Sequence, residues 1–243
     1  MMANLIIDQG NTTLKLAVFD KNEPVAFTQL RKWDEGIVSG LLEDYSIEAC
    51  IYASVAAPSE KEIIWLGDNI ERFIEFNHKT LLPINIDYRT PDTLGLDRIA
   101  GVVGAFYEKK GHDILVIDAG TAITYDVLTA DGRFIGGNIS PGIKMRLKSL
   151  HAFTGRLPMV PKEGDIPAIG YDTDTAIRSG VMEGIRFEME GYIEEVKSKC
   201  PEVLIFLTGG DAFLFAERVK STIFADKNIV LKGLNRILDY NVK

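Results

Sequence analysis

The sequence predicts an α/β protein built as two related halves, and three observations carry that prediction. A short apolar strand stops on an aspartate, bends through small polar residues and resumes as a second strand. This happens twice, at "LIIDQGNTTLKLAVFD" (5–20) and within "DILVIDAGTAITYDVLTADGRFIGGNI" (113–139). Segments with helical spacing of apolar residues follow each copy, so strands and helices interleave. The 243 residues are also long for a single core and suit either one large domain or two smaller ones. Self-similarity of this kind puts the division near residue 112, with halves 1–112 and 113–243.

In chain order, Leu5, Ile6 and Ile7 read as a buried strand. Asp8-Gln9-Gly10-Asn11 is turn chemistry, and Thr13–Phe19 is the next strand. Taken alone, this stretch is a β-hairpin whose Asp and Asn side chains support the turn. A third strand is expected near Val25–Leu30, a helix over Asp34–Glu43 and a buried strand over 47–55. Ser59 opens a helix expected to run through Phe73, with Glu62 as its capping partner three residues on. In "GLDRIAGVVGAFYEKKG", Ile99, Val102, Val103 and Phe106 share one helical face, and Gly111 stops the helix.

In the second copy, Asp131-Gly132 marks a hairpin into a third strand. "FTGRLPMVPKEGDIPAIG" (153–170) has three prolines and three glycines and reads as a loop. Residues 172–199 form the longest helix, with Ile177, Val181, Ile185, Ile193 and Val196 on its apolar side. Gly180 and Gly184 on this helix permit close approach of another backbone, either inside one subunit or between two. A strand in "VLIFLTGGDAF" and a terminal helix from about Leu231 complete the chain, with Asp211 placed to cap a helix after Gly209-Gly210.

Composition excludes several functions. The net charge of −8 is spread without a basic run, which argues against nucleic-acid binding. No apolar run approaches the roughly 18 residues of a membrane span, and no export signal is visible, so a cytoplasmic protein is expected. Cys50 and Cys200 lack metal or redox spacing, and His78, His112 and His151 are scattered. Gly137–Gly142 has the four-residue gap of a P-loop, but Ile143-Lys144 follows where Gly-Lys-Ser/Thr is required. No GxGxxG follows a predicted strand.

The two aspartate-ended bends offer backbone N–H groups to phosphate oxygens, and Lys15 adds a point charge to the first. In order, "DQGNTTLK", "DAGT" and "LTGGDA" resemble the phosphate-one, phosphate-two and adenosine motifs of the actin-like ATPase and sugar-kinase superfamily. The resemblance implies two ribonuclease-H-like domains with a nucleotide cleft between them. Within that superfamily, "YRTPDTLGLDR" (88–98), "DAGTAITYD" (118–126), "GGNISPG" (136–142) and "GYDTDTAIRSG" (170–180) resemble type III pantothenate kinases, in the family's order and over nearly the whole chain.

That likeness implies ATP-dependent phosphorylation of pantothenate to 4′-phosphopantothenate, the first step of coenzyme A biosynthesis. The rival readings are another small-molecule kinase or phosphatase, or an ATP-binding regulatory protein, on the same fold. By the resemblance, Asp8, Gln9, Gly10, Asn11, Thr12, Thr13, Lys15 and Thr121 bind ATP, with Asp8 near its Mg2+. Asp97 is the implied general base, which receives the substrate hydroxyl's proton. On residue type alone, Asp97 is also a favoured helix N-cap, and the two roles can coexist because a cap holds the carboxylate still. Tyr88, Gly95, Leu96, Arg98 and Thr173 are the implied pantothenate contacts, and Thr173 reaches the neighbouring subunit's pocket. Asp118 is the implied ligand of a monovalent cation, K+ or NH4+. Thr154 and Arg156 are further candidates for lining the pantothenate pocket. A homodimer is implied, with no nucleic-acid or membrane partner.

Overall fold

The computed structural model describes residues 3–55 and 60–242. They fall into two compact units. The first gathers the chain up to Gly111, the segment Leu128–Ile135 and everything from Asn228; the second holds His112–Val127 and Gly136–Lys227.

The first unit opens with β1 (Ala3–Gln9), β2 (Leu14–Asp20) and β3 (Glu23–Leu30). After α1 (Glu35–Asp44) come β4 (Ile47–Ser54), α2 (Glu60–Asn69) and β5 (Arg72–Glu75). The strand order is β3-β2-β1-β4-β5: β1 lies antiparallel to β2 and parallel to β4, and β5 continues the parallel side. Leu5, Ile6 and Ile7 are fully buried, as are Cys50 and Ile51 beside them, so the central strands read as continuous apolar runs. Asp34 caps α1, its Oδ1 accepting from Ile37 N at 3.2 Å.

The expected helix through Phe73 is too long. It ends at Asn69, and Phe73 lies in β5, pairing in parallel with Cys50. Register with β4 overrides the local helical pattern there. Ser59, its expected first residue, lies outside the described residues.

A two-residue β6 (Asn85–Ile86) precedes α3 (Leu96–Glu108). Next come β7 (Ile114–Ala119), β8 (Ala122–Leu128) and β9 (Arg133–Pro141), with Gly132 at φ +78° in the hairpin. Then follow α4 (Ile143–Ala152), α5 (Thr173–Lys199) and β10 (Leu204–Thr208). The chain ends with α6 (Ala212–Ala216), β11 (Phe224–Ala225) and α7 (Ile229–Val242). The second sheet has the order β11-β10-β7-β8-β9-β6. Without β6, this repeats the first sheet's plan strand for strand, as the duplicated sequence pattern predicts.

The compact units differ from the expected halves at Leu128–Ile135 and at the C-terminus. Helix α7 packs on α3 in the first unit because two glycines let the backbones meet. A Cβ at Gly104 would lie 2.1 Å from Ile229 O, and one at Gly233 1.8 Å from Ala100 O. The buried Asn235 of α7 accepts from Asn4 Nδ2 at 2.8 Å and donates to Lys21 O at 2.7 Å, tying the helix to β1 and the β2–β3 turn.

In the second unit, α5 buries Ile177, Val181, Ile185, Met189 and Ile193 at helical spacing. Gly180 and Gly184 have no described atom within 4 Å of a built Cβ, so neither serves tight packing inside the chain. The 153–170 loop is firmly held. Arg178 donates to Pro161 O at 3.0 Å and Asp165 O at 3.1 Å, and Val160 is buried in the core.

Candidate active site

Strand β1 carries Asp8 to the edge of the first unit's core, where it is still buried. Antiparallel register sets Lys15 opposite Asp8, with Nζ 3.7 Å from Oδ2. Gly10 N donates to Thr13 O at 2.9 Å and closes the bend, leaving Asn11 and Thr12 exposed at its tip. Gln9 is anchored from behind. Its side chain accepts from the buried Tyr52 hydroxyl, which also lies 3.1 Å from Glu62 Oε2 on α2. Burial and the Glu62 carboxylate both push the Tyr52 hydroxyl pKa up, so it remains a hydrogen-bond donor.

Asp97 stands in the first turn of α3. The cap position belongs to Gly95, which contributes no side-chain bond, so the N-cap reading of Asp97 does not hold. Its Oδ1 instead accepts from Arg98 N at 2.9 Å, one of the amides a helix start leaves unpaired. Gly95 leaves room for the carboxylate in this position, since a Cβ there would fall 2.6 Å from that same Oδ1. Asp97 also acts on Asp8. Burial holds the Asp8 carboxyl above its ordinary pKa, Lys15 opposes this, and the Asp97 charge adds to it.

Arg98 is buried with its Cζ 5.8 Å from the Tyr88 ring centre and 5.7 Å from that of Phe134. Tyr88 and Phe134 themselves meet edge to face at 5.9 Å. The first unit therefore brings together Asp8, Gln9, Lys15 and Asp97, and sets Tyr88, Gly95, Leu96 and Arg98 around the α3 start. Phe134 carries no chemical signal in sequence, and its role as a wall beside Arg98 follows only from the fold.

In the second unit, Asp118 is the next-to-last residue of β7, in register with the buried Thr208 of β10. Gly120 N donates to Ala122 O at 3.0 Å and turns the chain, which leaves Thr121 exposed. Gly209, at φ +97°, brings the glycine turn against this bend; a Cβ there would sit 2.4 Å from Asp118 Oδ1. Asp211 N donates to Ala119 O at 2.9 Å, so the "DAGT" and "LTGGDA" motifs are directly bonded. The Asp211 carboxylate does not cap α6 as expected. It pairs with Lys162 Nζ at 2.7 Å, drawn away from the helix by a charge 49 residues distant.

Thr173 is the exposed first residue of α5, which starts with an Asp172–Thr175 capping box. Thr154 uses its hydroxyl on Leu150 O at 2.6 Å, closing the end of α4. Arg156 is exposed.

A family model described as type III pantothenate kinase matches residues 4–195. A type III pantothenate kinase of Phocaeicola vulgatus is 49% identical over 244 residues, covering 99% of each chain. Among solved structures, a Baf family protein of Campylobacter jejuni superposes with TM-score 0.64 at 24% identity over 98% of both chains. An inorganic polyphosphate/ATP-glucomannokinase of Arthrobacter reaches TM-score 0.51 at 13% identity over 99% of both. These likenesses establish the two-domain fold of actin-like ATPases and sugar kinases.

Proposed function

The chain belongs to the type III pantothenate kinase family, and from that premise we propose which of its residues carry the reaction. The protein is a phosphotransferase that phosphorylates pantothenate to 4′-phosphopantothenate for coenzyme A biosynthesis. Asp97 is the general base. One observation carries this: its carboxylate is fixed by Arg98 N in a helix first turn, in space that Gly95 leaves open. Phosphoryl transfer has a loose transition state, so a fixed carboxylate that aims the hydroxyl and takes its proton supplies what the reaction needs.

The Asp8–Lys15 bend and Thr121 bind the phosphates of ATP; Gly10, Asn11, Thr12 and Thr13 offer backbone and hydroxyl donors, and Lys15 offers its charge. A buried Asp8 that resists ionisation beside Asp97 fits a nearby cation. Bound Mg2+ would neutralise phosphate charge there. Asp118 holds K+ or NH4+, a role supported by its place at a strand end against backbone that Gly209 brings close. Tyr88, Gly95, Leu96 and Arg98 hold pantothenate, and the buried Arg98 suits its carboxylate. Thr173 joins them from a second subunit of a homodimer. The open face at Gly180 and Gly184 supports that assembly, and the enzyme works in the cytoplasm without membrane or nucleic-acid partners.

The test is Asp97→Asn in an ADP-release assay with and without pantothenate. Nucleotide binding is expected to persist while pantothenate-dependent turnover falls by about 100-fold or more. Unchanged turnover removes Asp97 from the role of base.

A further inference from the structure

Glu188 lies on α5, outside every motif that the reaction uses, yet its half-buried carboxylate gathers donors from three elements. Tyr125 Oη of β8 donates at 2.8 Å, Arg146 Nη2 of α4 at 2.6 Å, and Ser140 Oγ of β9 also donates to it. Burial works against its ionisation, but Ser140, Arg146 and Tyr125 outweigh burial and hold its pKa below the ordinary value. Arg146 has further bonds. Its Nε donates to Pro141 O at 2.7 Å, its Nη2 reaches Ser140 Oγ at 3.2 Å, and its backbone N donates to Gly142 O at 3.0 Å.

Glu188 holds Ser140, and the three further bonds of Arg146 end on Ser140, Pro141 and Gly142. Gly142 in turn is pressed against the second bend. Gly142 N donates to Thr121 O at 3.0 Å, and a Cβ at Gly142 would fall 2.2 Å from Gly120 O and 2.7 Å from Thr121 O. The Gly120-Thr121 backbone thus rests on Gly142, and Gly142 ends the Ser140-Pro141 segment that Arg146 and Glu188 hold.

We propose that Glu188, acting through Arg146 and Ser140, is a positioning residue for the Gly120–Thr121 bend and so for ATP, without a part in holding pantothenate. Charged hydrogen bonds of this kind are the strong ones, and small displacements of a substrate-holding backbone cost rate steeply. The inference rests on the reading of Thr121 as an ATP contact. Thr121→Ala therefore goes first: if its KM for ATP matches wild type, it is that reading which fails.

With that contact established, Arg146→Lys keeps the charge but loses the bond to Pro141, and Glu188→Gln keeps the shape but loses the charge. Each is expected to raise KM for ATP about tenfold, the equivalent of losing one charged hydrogen bond. KM for pantothenate should stay within about twofold, and calorimetric affinity for a non-hydrolysable ATP analogue should fall in parallel. Gly142→Ala, which strikes the same carbonyl directly, should give the same split. It decides the matter if the charge variants fail to fold. Equal changes in both Michaelis constants, or no change in a folded variant, overturn the proposal.

Discussion

The meeting of α3 and α7 makes a sharp test of how the helix that carries Asp97 is held. Gly104→Ala would place a methyl 2.1 Å from Ile229 O, where real contacts stay beyond 3.0 Å. The two helices must therefore part by about 1 Å, since backbone lies on both sides and no side chain can swing away. Overpacking costs about 1–3 kcal/mol, and a rigid backbone clash belongs at the upper end, about 3 kcal/mol. Alanine returns about 1 kcal/mol through helix propensity. The net loss is about 2 kcal/mol, or about 4–8 °C in Tm for a chain of this size. Thermal unfolding by calorimetry measures it, with Gly40→Ala in α1 as control. That site has open space around it, so only the propensity gain of about 1 kcal/mol applies and Tm should rise. A Gly104→Ala protein melting at or above wild type would refute the reasoning.

Two further outcomes follow from the same geometry. Gly95→Ala pushes a methyl into Asp97 Oδ1, so kcat should fall by about tenfold or more in a protein whose Tm is little changed; wild-type kcat would show that the carboxylate needs no such space. Asp8 has a folded pKa raised mainly by burial, so its effect on folding is favourable in acid and is lost as pH rises through that folded value. Asp8→Asn should therefore melt above wild type at about pH 7, with the gap narrowing as pH falls toward the ordinary carboxyl range, while turnover is lost. A variant less stable than wild type at neutral pH would show that the Lys15 pair outweighs burial.

Much of the architecture was legible in the chain because its signals are local. An apolar run ending on Asp8 or Asp118 is a strand meeting a bend whatever surrounds it. The Asp34 cap, the Asp131-Gly132 hairpin and the α5 stripe are likewise written in neighbouring residues. So is the position of Asp97 near a helix start. The duplicated pattern announced two sheets of one plan.

Other features depended on partners far along the chain. Phe73 joined a strand because β4 offered it parallel register, and α7 left the second half because Gly104 and Gly233 open a seat on α3. Asp211 turned from its helix to Lys162, and Glu188 gathered Tyr125, Ser140 and Arg146. By itself, then, the sequence determined the strands, helices and bends and the order of the motifs, since these follow from short-range periodicity and turn chemistry. Only tertiary structure decided which charges pair, which carboxylate resists ionisation and what stands behind each bend. Those depend on burial and on contacts between separate elements, as between Lys162 and Asp211 or Arg146 and Glu188, which leave no trace in any local window.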